Sequence, residues 1–119
     1  MPKIKIKAKI KNKNEIHTFT GKGILTENGL TYKDKESLTK ITLNPLKIER
    51  ISSSTIEINL KEGKTCEAIY KTKYGVIHLE SKLLELKQEK RKLYIKYILI
   101  QNKVIVDTFE YNLEYSIDS

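Results

Sequence analysis

The sequence predicts an all-β protein, a small antiparallel up-and-down barrel with about eight to ten strands. Three observations carry that reading: strict apolar–polar alternation in the first segment, turn signals at intervals of about ten residues, and one apolar face in nearly every segment between them. The chain has 119 residues and 39% hydrophobic side chains, enough for one core and not for two, so residues 1–119 are read as a single domain.

In residues 2–11, Ile4, Ile6, Ala8 and Ile10 share one face and Lys3, Lys5, Lys7, Lys9 and Lys11 the other, which is the period of a strand. After the polar turn Asn12-Lys13-Asn14, an extended run from Glu15 to about Leu25 contains Gly21 and Gly23, where a bulge or bend is expected. Asn28-Gly29 is a strong hairpin signal of type I′, leading into Leu30 to Lys33. Ser37 to Leu43 ends at Asn44-Pro45, and Leu46 to Ser52 ends in three serines. Thr55 to Leu60 turns through Lys61-Glu62-Gly63-Lys64 into Thr65 to Thr72, and Tyr74-Gly75 turns the chain again.

Val76 to Leu86 reads as a long strand with Ile77, Leu79, Ser81 and Leu83 on one face, followed by Lys92 to Ile100 and the hairpin Gln101-Asn102-Lys103. From Val104 to Ile117 the apolar parity switches between Val106 and Phe109, which predicts a bulge near Asp107-Thr108. Leu83 to Leu93 competes for helix, because it consists of good helix formers. Hairpin turns throughout favour an antiparallel sandwich or barrel over a βαβ protein, and closure into a barrel removes exposed edges.

The start of the chain holds no apolar run long enough for a secretory segment or a membrane span, so a cytoplasmic location is expected. The lone Cys66 has no partner for an internal disulfide and reads as a small buried hydrophobe. The net charge of +8 raises the question of an acidic partner. However, only Arg50 and Arg91 among 23 basic residues are arginine, the side chain suited to bidentate phosphate recognition. Heavy use of Lys, Ile and Asn is also what an AT-rich genome imposes.

Gly23 ahead of Asn28-Gly29, Tyr32-Lys33-Asp34 after it, Arg50 at a strand end, Glu62-Gly63-Lys64, Tyr70-Lys71-Thr72-Lys73-Tyr74-Gly75 and then Tyr97 occur in an order that resembles the YwiB-like family of bacterial proteins. The resemblance covers nearly the whole chain. It implies a calycin-type barrel related in shape to lipocalins and fatty-acid-binding proteins, and no particular activity. The family's glycine two positions after the arginine is Ser52 here, a departure that bears on the local turn. Glu110-Tyr111-Asn112-Leu113-Glu114-Tyr115 lacks the arginine with which fatty-acid-binding proteins anchor their ligand.

No metal-binding, nucleophile-elbow, dinucleotide or phosphate-loop string occurs, so no catalytic residue, metal or cofactor is expected and the chain is not read as an enzyme. His17 and His78 are read as surface residues. The candidate site is the barrel interior. The parity that buries Leu46 and Ile48 points Arg50 inward, and the same argument turns in Tyr70 and Thr72 with Ala68, and Tyr97 with Ile95 and Leu99. A cation and hydroxyls among apolar walls suit a small amphiphilic, anionic ligand held by Arg50, Tyr70, Thr72 and Tyr97. The competing reading has Arg50 at a barrel mouth or paired with Glu110 or Asp107, with the tyrosines filling the core. In both readings Arg50 is expected to be hydrogen-bonded. An alternative function rests on the lysine comb of residues 3–11, whose ammonium groups repeat at about 6.6 Å, near the phosphate spacing of a nucleic-acid strand. That surface would bind RNA or an acidic partner. No aromatic residue lies on it, and a solvated or edge-protecting face competes.

Overall fold

The structure is a computed structural model that describes residues 2–118. Its ten strands are β1 (Lys3–Lys11), β2 (Ile16–Thr26), β3 (Gly29–Asp34), β4 (Ser37–Leu43), β5 (Leu46–Ile51), β6 (Thr55–Leu60), β7 (Thr65–Thr72), β8 (Gly75–Glu89), β9 (Lys92–Gln101) and β10 (Val104–Ile117). They follow one another around a closed antiparallel barrel, and β1 pairs with β10 to shut the seam, Ile4 opposite Ile117 and Lys11 opposite Glu110. The helix-forming run Leu83 to Leu93 is strand and hairpin here. Burial of one face against the lumen overrides its local helix propensity.

The alternation read from β1 is the alternation observed. Ile4, Ile6 and Ala8 are buried while all five lysines of the strand are exposed. Each buried isoleucine of this kind is worth about 1.5–3 kcal/mol relative to exposure. Because β1 is paired on both sides, with β2 and β10, its lysines do not protect an edge in the folded barrel.

Two details of the β2 region differ from expectation. The β1–β2 register runs through Gly21 and Gly23 without a shift, so neither marks a bulge. A Cβ at Gly21 would meet the Phe19 ring, and one at Gly23 the Ile6 side chain and the Thr31 carbonyl, so both glycines give room to neighbours. The β2–β3 hairpin turns at Glu27-Asn28, with Thr26 opposite Gly29, and none of these residues has positive φ. Gly29 is instead required because its backbone lies against the Ile41 carbonyl of β4. The type I′ geometry occurs at the β9–β10 hairpin, where Asn102 and Lys103 both have positive φ.

Register shifts fall between Ile105 and Asp107 on β10 and between Leu83 and Glu85 on β8. The first is the bulge announced by the parity switch. The second, at Leu84, lies inside the helix-like run. The Asn44–Pro45 bond that joins β4 to β5 is cis.

Candidate functional site

The barrel has two ends. One carries the β1–β2, β3–β4, β5–β6, β7–β8 and β9–β10 turns; the other carries the β2–β3, β4–β5, β6–β7 and β8–β9 turns.

The first end is closed by aromatic packing. Phe19 stacks on Tyr32 with ring centroids 4.8 Å apart, and Tyr97 stacks on Phe109 at 5.1 Å. The hydroxyls of Tyr32 and Tyr111 are hydrogen-bonded to each other. Burial pushes the Tyr32 hydroxyl up to about 12, and it likewise raises that of Tyr97, which also feels the carboxylate of Asp107. The space left beside this plug, among Ala8, Ile10, His17, Asp34, Thr39 and Arg50, is about 10 Å³, no more than one water could use.

Arg50 does follow the inward parity, opposite Thr39 and Ile56, and lies beside that small space. Strand β5 ends one residue later, however, so its side chain emerges at the mouth and is exposed. The expected bond is not formed: Arg50 has no hydrogen bond or ion pair with any described residue. The nearby Asp34 carboxylate is taken by His17, at 2.9 Å. Tyr97 is buried in the plug and Tyr70 is half-buried opposite Ile77. The Thr72 hydroxyl is engaged in its own hairpin, accepting from the Tyr74 amide at 3.0 Å and donating to the Gly75 carbonyl. Of the four residues, only Arg50 borders the 10 Å³ space.

Both histidines are exposed, as expected, and each has a carboxylate partner from an adjacent element, His17 with Asp34 and His78 with Glu67 at 2.8 Å. Cys66 is only partly buried, because it sits near the start of β7 where the β6–β7 pairing has already stopped. Among the described residues no group of His, Cys, Asp and Glu could hold a metal ion.

The second end is open. A cavity of about 460 Å³ lies among the β2–β3, β4–β5 and β8–β9 turns. Its walls are Leu25, Leu30, Ile41, Leu43, Leu93, Leu113 and Tyr115, continuous with the core, and its rim carries Asn28, Asn44, Gln88, Glu27, Glu89, Arg91 and Lys92. Rim charges balance, two carboxylates against two cations. An apolar floor with a few polar groups at the opening is the makeup of small-molecule sites, and the volume lies in their range of about 300–1,000 Å³. Leu93, Leu113 and Tyr115 alternate with polar residues along β9 and β10 as core-facing side chains do, but nothing in the sequence marks that they leave this volume unfilled.

On the outside, an open groove of about 750 Å³ crosses β2, β1, β10, β9 and β8. Lys7 and Lys9 of the comb border it with Lys87, Lys92 and Tyr94, and so do Glu85, Glu89 and Glu114. Tyr94 donates to Glu110 at 3.0 Å.

A closed ten-stranded antiparallel meander with one plugged and one open end defines an up-and-down β-barrel. The chain belongs to the family described as Domain of unknown function (DUF1934), whose model matches residues 3–113. In structure it is similar to the ywiB protein from Bacillus subtilis, with a TM-score of 0.56 at 13% identity, covering 96% of this chain and 90% of that one. That likeness supports the fold, and with the family match it bears out the YwiB-like resemblance read from the residues. No curated protein matches. Among the described residues no helix is long and apolar enough to cross a membrane.

Proposed function

We propose that the protein is a non-enzymatic, lipocalin-like binding barrel of the cytoplasm that takes a small, partly apolar molecule in its open end. One observation carries this reading: the 460 Å³ cavity whose apolar walls continue into the core and whose rim is polar. The preference for an anionic ligand comes from the charge of +8, which raises the local concentration of anions, with Arg91 and Lys92 on the rim to meet the head group.

Thermal melts with dodecanoate test the proposal. The wild type is expected to gain stability with ligand concentration, and Leu43→Trp, which fills the cavity, to lose that response. Arg50→Met should keep the response and change stability by no more than about 0.5 kcal/mol, as usual for an exposed side chain without partners. If Arg50→Met loses the response and Leu43→Trp keeps it, the ligand is held by Arg50, Tyr70, Thr72 and Tyr97 instead. The binding reading fails if dodecanoate and a panel of other apolar anions leave the melt unmoved and native mass spectrometry finds no co-purified small molecule.

A second reading, binding of RNA or an acidic protein, is supported by the full exposure of the lysine comb and by Tyr94 in the same groove. Lys7 and Lys11 stand opposite Glu114 and Glu110, which reduces the charge available to phosphates. Affinity for single-stranded RNA should fall with salt, by roughly 0.7 in log K per phosphate neutralised per log unit. No binding at low ionic strength removes this reading.

A further inference from the structure

Six of the eleven exposed large hydrophobic side chains among the described residues lie on two hairpins at the plugged end. Tyr74, Val76 and Ile77 belong to the β7–β8 hairpin and Val104, Ile105 and Val106 to the β9–β10 hairpin, with exposures from 46% to 87%. The two hairpins are neighbours, because β8 pairs with β9. Val104 pairs with Gln101, one residue beyond the last β8–β9 pair of Glu80 and Ile100, so it lies level with Leu79 of β8 and Val76 stands nearer the tip of its own hairpin. Their charge is of one sign: residues 69–79 and 98–106 contain Lys71, Lys73 and Lys103 and no Asp or Glu. The Lys73 ammonium rests 5.1 Å from the centre of the Tyr74 ring, so cation and aromatic body project together at the tip.

Clustered apolar side chains at an exposed end mark an interaction surface. We propose that this crown docks on an anionic lipid bilayer, with the aliphatic side chains and Tyr74 entering the headgroup region and Lys71, Lys73 and Lys103 meeting lipid phosphates. Charge complementarity selects this partner. A second copy of the chain would bring lysines against lysines in a molecule of net charge +8, whereas an anionic bilayer satisfies the lysines and the apolar tips at once. Tyrosine is suited to that boundary because its ring is apolar and its hydroxyl wet. The two arms of each hairpin are paired with each other, which limits the unpaired polar groups carried into the interface to those on the outer edges. Docking at the plugged end leaves the open cavity at the other end facing away from the bilayer, so this inference and the ligand reading stand or fall separately.

Co-flotation with vesicles of phosphatidylglycerol and phosphatidylcholine tests the proposal. Binding should rise with the phosphatidylglycerol fraction, be weak on pure phosphatidylcholine and weaken with salt. Each of Lys71→Gln, Lys73→Gln and Lys103→Gln should reduce it about fivefold. The double variant Val76→Glu/Ile105→Glu should abolish it while leaving the thermal melt near wild type, since both side chains are more than half exposed. The inference is overturned by any of three results. These are no flotation on phosphatidylglycerol vesicles at low ionic strength, flotation unchanged in Val76→Glu/Ile105→Glu, or a concentration-dependent dimer in sedimentation that the same variant dissolves.

Discussion

Tyr32 on β3 and Tyr111 on β10 join their hydroxyls inside the barrel, each residue almost wholly buried. Either hydroxyl can donate, so removing one leaves the other short of a partner. Tyr111→Phe is expected to cost about 1–2 kcal/mol. The double variant Tyr32→Phe/Tyr111→Phe should cost less than the sum of the singles, because it leaves nothing unpaired. Urea denaturation of the four proteins measures this, and strictly additive costs would contradict it.

The same tyrosine sets an alkaline limit. Burial raises the Tyr32 hydroxyl from its ordinary 10.0 to about 12, so the folded protein favours the neutral form more than the unfolded chain does. That stabilisation is fully present below pH 10 and is lost as pH rises through about 12. The total is on the order of 3 kcal/mol. Stability measured between pH 9 and 12 should fall, and Tyr32→Phe should flatten the slope. An unchanged slope in that variant would place the effect elsewhere.

Ser81 is fully buried on β8, and its Oγ donates to the Asn59 carbonyl of β6 at 2.5 Å. The β6–β7 ladder stops at Ile58–Ala68, so this hydroxyl serves a carbonyl just beyond the end of the pairing. Ser81→Ala should destabilise by about 1–3 kcal/mol, the cost of a buried acceptor without a donor. A loss below 0.5 kcal/mol in urea, a threshold for surface-like changes, would mean that water replaces the hydroxyl.

Two glycines should respond differently to alanine. A Cβ at Gly29 would run into the Ile41 backbone carbonyl, whereas Gly63 has open space around it and a φ of +74. Gly63→Ala should cost about 1 kcal/mol, from backbone conformation alone. Gly29→Ala has to move β3 away from β4 and should cost more, with amide exchange quickened in both strands. Equal costs would refute the steric account.

The strand map was legible because side-chain parity is a local property. It placed β1, β4, β6, β7 and β10 closely, and the switch between Val106 and Phe109 put a bulge near Asp107-Thr108, next to the register shift observed at Val106. The Leu84 bulge was hidden, since Leu83, Leu84 and Leu86 crowd together in a run of good helix formers and so do not show which leucine leaves the inward face. Arg50 shows the limit of the same argument. Parity says which face a side chain takes and nothing about its height along the barrel, and one residue before the end of β5 the inward face is already the mouth. The open cavity was illegible for a related reason. Leu25, Leu43, Leu93 and Tyr115 come from four separate strands, and whether their side chains fill the space between them depends on the spacing of the turns.

The seam between β1 and β10 also has a consequence in time. During synthesis β1 leaves the ribosome first and can pair with β2 at once, but its other side has no partner until β10 follows, after every strand between them. A pairing so distant in sequence is slow to form. Throughout that interval nascent chains present a free strand edge, which invites association between them. Lysine at every second position of β1 makes two such edges repel each other. The comb thus guards an edge that exists only while the barrel is being made, and which its completion removes.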